Sequence, residues 1–431
     1  MRYSLLAAAL AVATGSTSFA AAADTRDQQI NELRTQLAAM QAKLIELEER
    51  DDAQSGVNLD TAEALDKLAN GSPKIETKGG LKVTSADKKF EVSVGGRIHF
   101  DTYAFDRDIA DTTGTTEFRR ARLTLAGKAY GWEYKLEQDF SAGSNLDGLR
   151  DAYIARSALG GKFTIGHFKP YRAMEELTSS NELLMMERPF ASATGLFSGR
   201  QFQQGVGYLR AGDNYTAGLS VFNLRGAAAS RNEGAGVAGR VTYAPINTET
   251  QTFHLGAWFS QENANKGSAD LAAPFNYAGR RGPSQTIATT TGASRNTVDV
   301  YAIEAAGSFG PGFFQAEYAD ATFGQPGGRD QDVKSYYVQG SLMLNGGHKA
   351  YKPATGVFAS PKVADKGLWE LTARYDNAEN KTLDRKVNSW LMGVNYYVNP
   401  NLRFMLNYTK GDNEVTGDET GQYALRTQFA W

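Results

Sequence analysis

The sequence predicts an all-β fold: a transmembrane antiparallel β-barrel of about 16 strands, preceded by a short periplasmic coiled-coil helix. Three observations carry that prediction. The chain ends on an alternating strand, with Tyr423, Leu425, Thr427, Phe429 and Trp431 on one face and Ala424, Arg426, Gln428 and Ala430 on the other. A soluble protein seldom leaves so apolar a strand at a free edge, whereas a barrel pairs it with the first strand and turns that face to lipid. The chain also opens with an export signal. Between these ends, period-2 runs are joined by links that are tight on one side and long on the other.

Met1 to Ala23 reads as a secretory signal. Arg2 supplies the positive start, Leu5 to Thr14 the apolar core, and Ser18-Phe19-Ala20 or Ala21-Ala22-Ala23 the small-residue cleavage site. That core is too short to span a membrane, and no later stretch approaches the ~20 apolar residues a membrane helix needs. The 431 residues include 45 Gly, 20 Tyr, 22 Phe and no Cys. Without cysteine there is no disulfide framework, no thiolate metal site and no lipid attachment at a lipobox. A net charge of −2 marks no nucleic-acid partner.

From 24 to 50 the residues Ile30, Leu33, Leu37, Met40, Leu44 and Leu47 are spaced 3-4-3-4-3, an a/d heptad seam among good helix formers. A lone helix of that length is marginal in water, so the seam implies a partner. Self-association is the primary reading, with a tether toward the cell wall as the other. From 51 to 73 the seam dissolves into Gly, Ser, Asn and Asp, which reads as a linker with a helical turn or two.

From Lys74 to Trp431 the pattern is alternation broken by turns. Ser93, Gly95, Arg97, His99 and Asp101 share one face, and Val92, Val94, Gly96, Ile98 and Phe100 the other. Similar runs recur at Trp132–Asp139, Leu368–Tyr375, Trp390–Tyr397 and Leu402–Tyr408. Dividing this region by roughly 22 residues per strand and connection gives about 16 strands, enough to leave an aqueous channel.

Parity sends particular charges into that channel. With Leu123 and Leu125 toward lipid, Arg120, Arg122 and Thr124 face the lumen, joined by Arg97. Arg119 has the wrong parity and requires either the rim or a β-bulge that turns it inward. A charge on the lipid face near the midplane costs about 2–4 kcal/mol, so these arginines belong in water. Guanidinium forks there bind oxyanions, or pair with wall carboxylates such as Asp101, Asp139 or Asp151. Residues 172–188 are helix-like, with Met174, Leu177, Leu184 and Met185, and read as a loop near 169–190 packed inside the lumen.

Several motifs resemble the phosphate-selective porins of the O/P type: Thr77-Lys78-Gly79-Gly80-Leu81, Gly95-Gly96-Arg97, Phe118-Arg119-Arg120-Ala121, Thr178-Ser179-Ser180, Glu187-Arg188, and Leu368-Trp369-Glu370-Leu371 with Arg374-Tyr375-Asp376. The resemblance covers roughly Lys78 to Trp431. It implies a homotrimer of 16-stranded barrels in the bacterial outer membrane, each narrowed by an inward third loop and passing small anions such as phosphate. It further implies an anion-binding constriction. Arg97, Arg119 and Arg120 match its wall arginines, Asp139 its acidic residue, Ser179 and Ser180 its loop serines, and Arg188 its loop arginine. Arg122 stands where an aromatic is usual. Glu176 and Asn181 stand where the best-known phosphate binders carry lysines, which weakens an oxyanion site.

The four histidines, His99, His167, His254 and His348, have no metal-ligand spacing. Neither a metal nor a cofactor is expected, and nothing in the pattern marks an enzyme. The expected partners are small anions, outer-membrane lipid and further copies of the chain.

Overall fold

The computed structural model describes residues 22–431 apart from 78–79, 143–147, 193–194, 198–199, 225–233, 268–269, 291–294 and 364–366. The signal expected over 1–23 therefore lies almost wholly outside the described residues, as do Lys78 and Gly79 of the first motif. The chain divides into two units, 1–72 and 73–431.

The described residues of the first unit form one helix, α1 (Ala22–Gly71). The linker expected over 51–73 is corrected: that stretch is helical as far as Gly71. Its composition explains this, because Ala, Leu, Glu and Lys sustain helix after the apolar seam stops, and the interior Gly56 costs only about 1 kcal/mol. The seam also returns in frame, three heptads beyond Leu44 and Leu47, at Leu65 and Leu68. Every one of these apolar residues is exposed on the single chain.

The second unit is a barrel. Its strands, in chain order, are β1 (Lys74–Glu76), β2 (Leu81–Thr84), β3 (Phe90–Asp106), β4 (Thr115–Ala129), β5 (Trp132–Asp139), β6 (Leu149–Ala158), β7 (Gly161–Phe168), β8 (Gln203–Ala211), β9 (Tyr215–Leu224), β10 (Gly234–Asn247) and β11 (Gln251–Ala264). They continue as β12 (Ala272–Phe275), β13 (Gln285–Thr289), β14 (Asn296–Phe309), β15 (Gly312–Gly324), β16 (Gln331–Met343), β17 (Lys349–Lys352), β18 (Val357–Pro361), β19 (Leu368–Asn380), β20 (Arg385–Tyr397), β21 (Leu402–Asn413) and β22 (Gly421–Ala430). The pairs β12–β13 and β17–β18 are separate hairpins inside connections. β1 and β2 extend the sheet along the start of β3. The other sixteen strands each pair antiparallel with their neighbours, and β22 closes the ring on β3.

Closure is tight at its end. Gly96 and Trp431 exchange both backbone hydrogen bonds, at 3.0 and 3.1 Å. A Cβ on Gly96 would stand 2.4 Å from the Trp431 ring, so glycine is what lets the terminal residue lie against β3. Along β22, Tyr423, Leu425 and Phe429 are exposed while Ala424, Arg426 and Gln428 are buried, the outward and inward faces that the alternation predicts.

Connections of two to four residues mark the rim where the barrel begins and ends, and most connections on the opposite rim are longer. One connection breaks the expected division. The connection between β16 and β19, on the short-turn rim, is long, and its hairpin β17–β18 folds inward, where Val357 and Phe358 pack with Phe313, Met174 and Leu184.

Candidate functional site

The connection 169–202 crosses the lumen, and wall residues specify its path. Its single helical turn, α2 (Met174–Leu177), is held by Glu317 on β15: the Met174 and Glu175 amides donate to the Glu317 carboxylate at 3.0 and 2.9 Å, with Trp258 Nε1 and Tyr337 Oη completing four donors. The helix-like reading of 172–188 thus shrinks to one turn, because the rest is shaped by side chains of the wall. Arg403 donates to the Leu183 carbonyl at 2.9 Å, Asn395 to Leu184 at 3.1 Å, Arg426 to Met186 at 2.6 Å and Arg374 to Glu187 at 2.7 Å. Anchors on β15 at one end and β19–β22 at the other draw the segment across the barrel. Hydrogen bonds to buried carbonyls also satisfy backbone that would otherwise be costly to bury.

Cavities lie against different parts of this loop. One, about 310 Å³, is lined by Arg119, Glu187, Phe190, Arg280, Arg374 and Asp376 among others. Another, about 510 Å³, includes Asn181, Glu182, Ser360, Arg403 and Gln428. Ser360 belongs to the inward hairpin, whose Lys352 also pairs with Glu182 of the loop.

The wall facing the loop is built by β3, β4, β5 and β22. Arg97 Nη1 donates to Ser180 Oγ at 2.9 Å and Ser179 Oγ at 3.3 Å, while its Nη2 reaches Glu137 at 3.1 Å. Arg122 bridges Glu137 and Asp139, both at 2.8 Å. Arg119 turns inward, and the register gives the reason: His99 pairs with Arg120 but Phe100 with Phe118, so Arg119 is the extra residue of a β-bulge. It forks onto Glu187 of the loop at 2.7 and 2.9 Å. Arg426 forks onto Asp101, both bonds 2.7 Å, and adds Glu187 at 3.0 Å.

Five of the eight expected site residues, Arg97, Arg122, Asp139, Ser179 and Ser180, form one bonded cluster through Glu137. Arg119 and Arg120 lie beside it on β4. Arg188 serves differently. It donates to the Glu175 and Thr178 carbonyls at 3.0 and 2.6 Å, tying the end of the inward segment to its beginning. Lys169 does the same with the Glu176 and Thr178 carbonyls at 2.6 and 3.2 Å. Burial among other cations draws the Lys169 ammonium well below its ordinary range.

Glu176 is withdrawn from the open lumen. It is fully buried, neither carboxylate oxygen has a hydrogen-bond partner, and Arg172 Nε stands 3.7 Å away. Burial, only partly offset by Arg172, Lys169 and Arg188, pushes its carboxyl up to about 7.

Charge balance separates the arginines. Arg97, Arg119 and Arg122 are each paired with a carboxylate. Among the described residues Arg120 is not: only 2% exposed, it bonds His99 Nδ1 at 3.2 Å, and its Nε has no hydrogen-bond partner there. Arg188 and Lys169 bond only to carbonyls among the described residues. Residues that the sequence reading left out, Glu137, Glu187, Arg426 and His99, are the partners that decide which cation is neutralised. The inward parity of His99, Glu137 and Arg426 was readable along their strands, but who pairs with whom depends on cross-barrel register and the path of the loop that carries Glu187.

Known proteins agree with this architecture. A Pseudomonas aeruginosa protein, Porin O, is 29% identical over 410 residues, covering 83% of this chain and 92% of that one. A Caulobacter vibrioides protein is 27% identical over 428 residues, 88% of this chain and 84% of its own. Among solved structures, the anion-selective porin from Comamonas acidovorans has a TM-score of 0.51 at 16% identity, covering 79% of this chain and all of that one. The trimer form of OmpT from Vibrio cholerae reaches 0.54 at 12%, covering 79% and 99%. The family model described as phosphate-selective porin O and P runs over residues 92–431, nearly the whole barrel. The chain belongs to that family of bacterial outer-membrane porins.

Proposed function

We propose that the barrel passes small anions by passive diffusion, phosphate or related oxyanions foremost, past a constriction made by Arg97, Arg119, Arg120 and Arg122 with Ser179, Ser180 and Asp139. Arg188 and Lys169 support it from within the loop. The observation that carries this reading is Arg120. A buried guanidinium with no direct carboxylate partner among the described residues, Glu187 nearby being bonded to Arg119 and Arg426, and with an unpartnered Nε–H, calls for an anion, since an unpaired buried charge is costly. The Ser179 and Ser180 hydroxyls, which accept from Arg97, keep O–H donors of the kind an oxyanion takes. The family's description, phosphate-selective, points the same way.

A second reading has its own observation. Pairing of Arg97, Arg119 and Arg122 with Glu137, Glu187 and Asp139 leaves most of the wall neutral, which suits a weakly selective porin for other small nutrients, carboxylates and organic anions among them. Added phosphate separates the two. In bilayers, phosphate blocks the chloride current if the constriction binds it, and leaves the current unchanged if the pore is a general one.

The exposed seam of α1, with the trimer form of the Vibrio cholerae structure, supports assignment of the helix to assembly of three chains. Reach toward the cell wall is the alternative role. Lipid is the partner of the outward apolar face, where Phe118, Leu123, Trp390 and Met392 are exposed.

A further inference from the structure

On β3, three residues of the same parity meet the wall cations in different ways. Arg97 is itself a cation and bonds Glu137, while Asp101 neutralises Arg426 through two bonds. Between them stands His99, fully buried, whose Nδ1 lies 3.2 Å from Arg120 Nη1 and whose Nε2 lies 3.0 Å from Asn181 Oδ1. A guanidinium only donates, so Nδ1 accepts from Arg120, and Nε2 then carries the ring proton toward the amide oxygen of Asn181. That assignment makes the imidazole neutral.

Asn181 is fixed in turn. Its carbonyl accepts from Gln428 at 3.0 Å and from Ser360 of the inward hairpin at 3.3 Å. A connected set of hydrogen bonds therefore runs from Arg120 through His99 to the loop and the hairpin.

We propose that His99 is the specificity-determining positioning residue of the pore: it fixes Arg120 against the loop without cancelling its charge. The contrast with Asp101, which occupies the next inward position and cancels Arg426, carries the argument. A carboxylate at position 99 would do the same to Arg120 and remove the unneutralised guanidinium of the constriction. This inference rests on the anion-binding reading of Arg120 given above.

The test uses the full chain as its native oligomer in planar bilayers, with inorganic phosphate as the probe and block of chloride current as the readout. In wild type, phosphate blocks; absence of block there removes the anion-binding reading itself, before any variant is compared. Given block, H99E raises the half-blocking concentration about tenfold, and H99Q, whose amide supplies both an acceptor and a donor, recovers most of the loss. A double-mutant cycle covers the case in which H99E does not assemble. H99A weakens block several-fold when Arg120 is present and has no effect in the R120Q background. Equal weakening by H99A in both backgrounds, or block by H99E indistinguishable from that by H99Q, overturns the proposal.

Discussion

Arg119 and Glu187 face each other in a two-bond fork, Nε to Oε1 at 2.7 Å and Nη2 to Oε2 at 2.9 Å, and each belongs to an irregularity of the barrel. Arg119 is the bulged residue of β4, and Glu187 lies where the inward loop turns back from β19–β22. The fork joins the bulge to the loop. Replacing Glu187 by Gln leaves Arg119 and Arg426 each short of a charged acceptor, at a cost of about 1–3 kcal/mol. The expected outcome is a lower thermal midpoint, together with more frequent conductance fluctuations in single-channel records as the loop loosens.

Glu176 gives a pH dependence whose sign is determined. Its carboxyl is raised from 4.5 to about 7 by burial, so the neutral form favours the folded loop. That contribution is complete below about pH 4.5 and is lost as pH climbs through about 7, on the order of 3 kcal/mol in all. The new charge also sits near Lys169 and Arg188, opposing anions. Wild type should lose stability between about pH 4.5 and about pH 7, and anion preference between about pH 6 and about pH 8 as the folded-state carboxyl ionises, whereas E176Q should show neither change.

Barrel closure depends on the contact of Gly96 with Trp431. A methyl at Gly96 meets the Trp431 ring at 2.4 Å and the Arg122 carbonyl at 2.6 Å, and the carbonyl is the less able to move. Such overpacking costs about 1–3 kcal/mol. G96A should therefore show slower refolding into detergent micelles and an earlier loss of the compact, heat-modifiable band on gels, with selectivity intact in the channels that form.

The helix makes a separate prediction. Deleting residues 24–71 removes an apolar seam that recurs at Leu65 and Leu68 and is solvent-exposed on the single chain. If α1 serves assembly, size-exclusion with light scattering reports dissociation at low protein concentration while single-barrel conductance persists. A trimer that remains intact assigns the helix to contact with the cell wall instead.

Much of this was legible in the residues. Alternation at Tyr423–Trp431 marked the closing strand, and the parity of Arg119 against Leu123 and Leu125 left either the rim or a bulge, of which the β3–β4 register contains the bulge. Arg97, Ser179 and Ser180, 82 or 83 residues apart, were matched to one site and do meet. What could not be read has a common cause. Whether a lumen arginine is neutralised depends on partners such as Glu187 for Arg119 and Asp101 for Arg426, 68 and 325 residues away, and period-2 patterning carries no information on such pairs. The inward hairpin β17–β18 was hidden because its turn residues resemble those of an ordinary connection. The continuation of α1 past Asp51 was missed because a heptad seam can stop while helix propensity persists.

The central claim is that an unneutralised Arg120 makes the pore prefer anions. The most direct measurement is the zero-current potential of single oligomers in a KCl gradient, for wild type and R120Q. The account predicts a potential of the sign set by Cl⁻ in wild type and a shift toward K⁺ in R120Q, with the open-channel conductance changed by less than about twofold. A wild-type potential of the sign set by K⁺, or one that R120Q leaves unmoved, contradicts it.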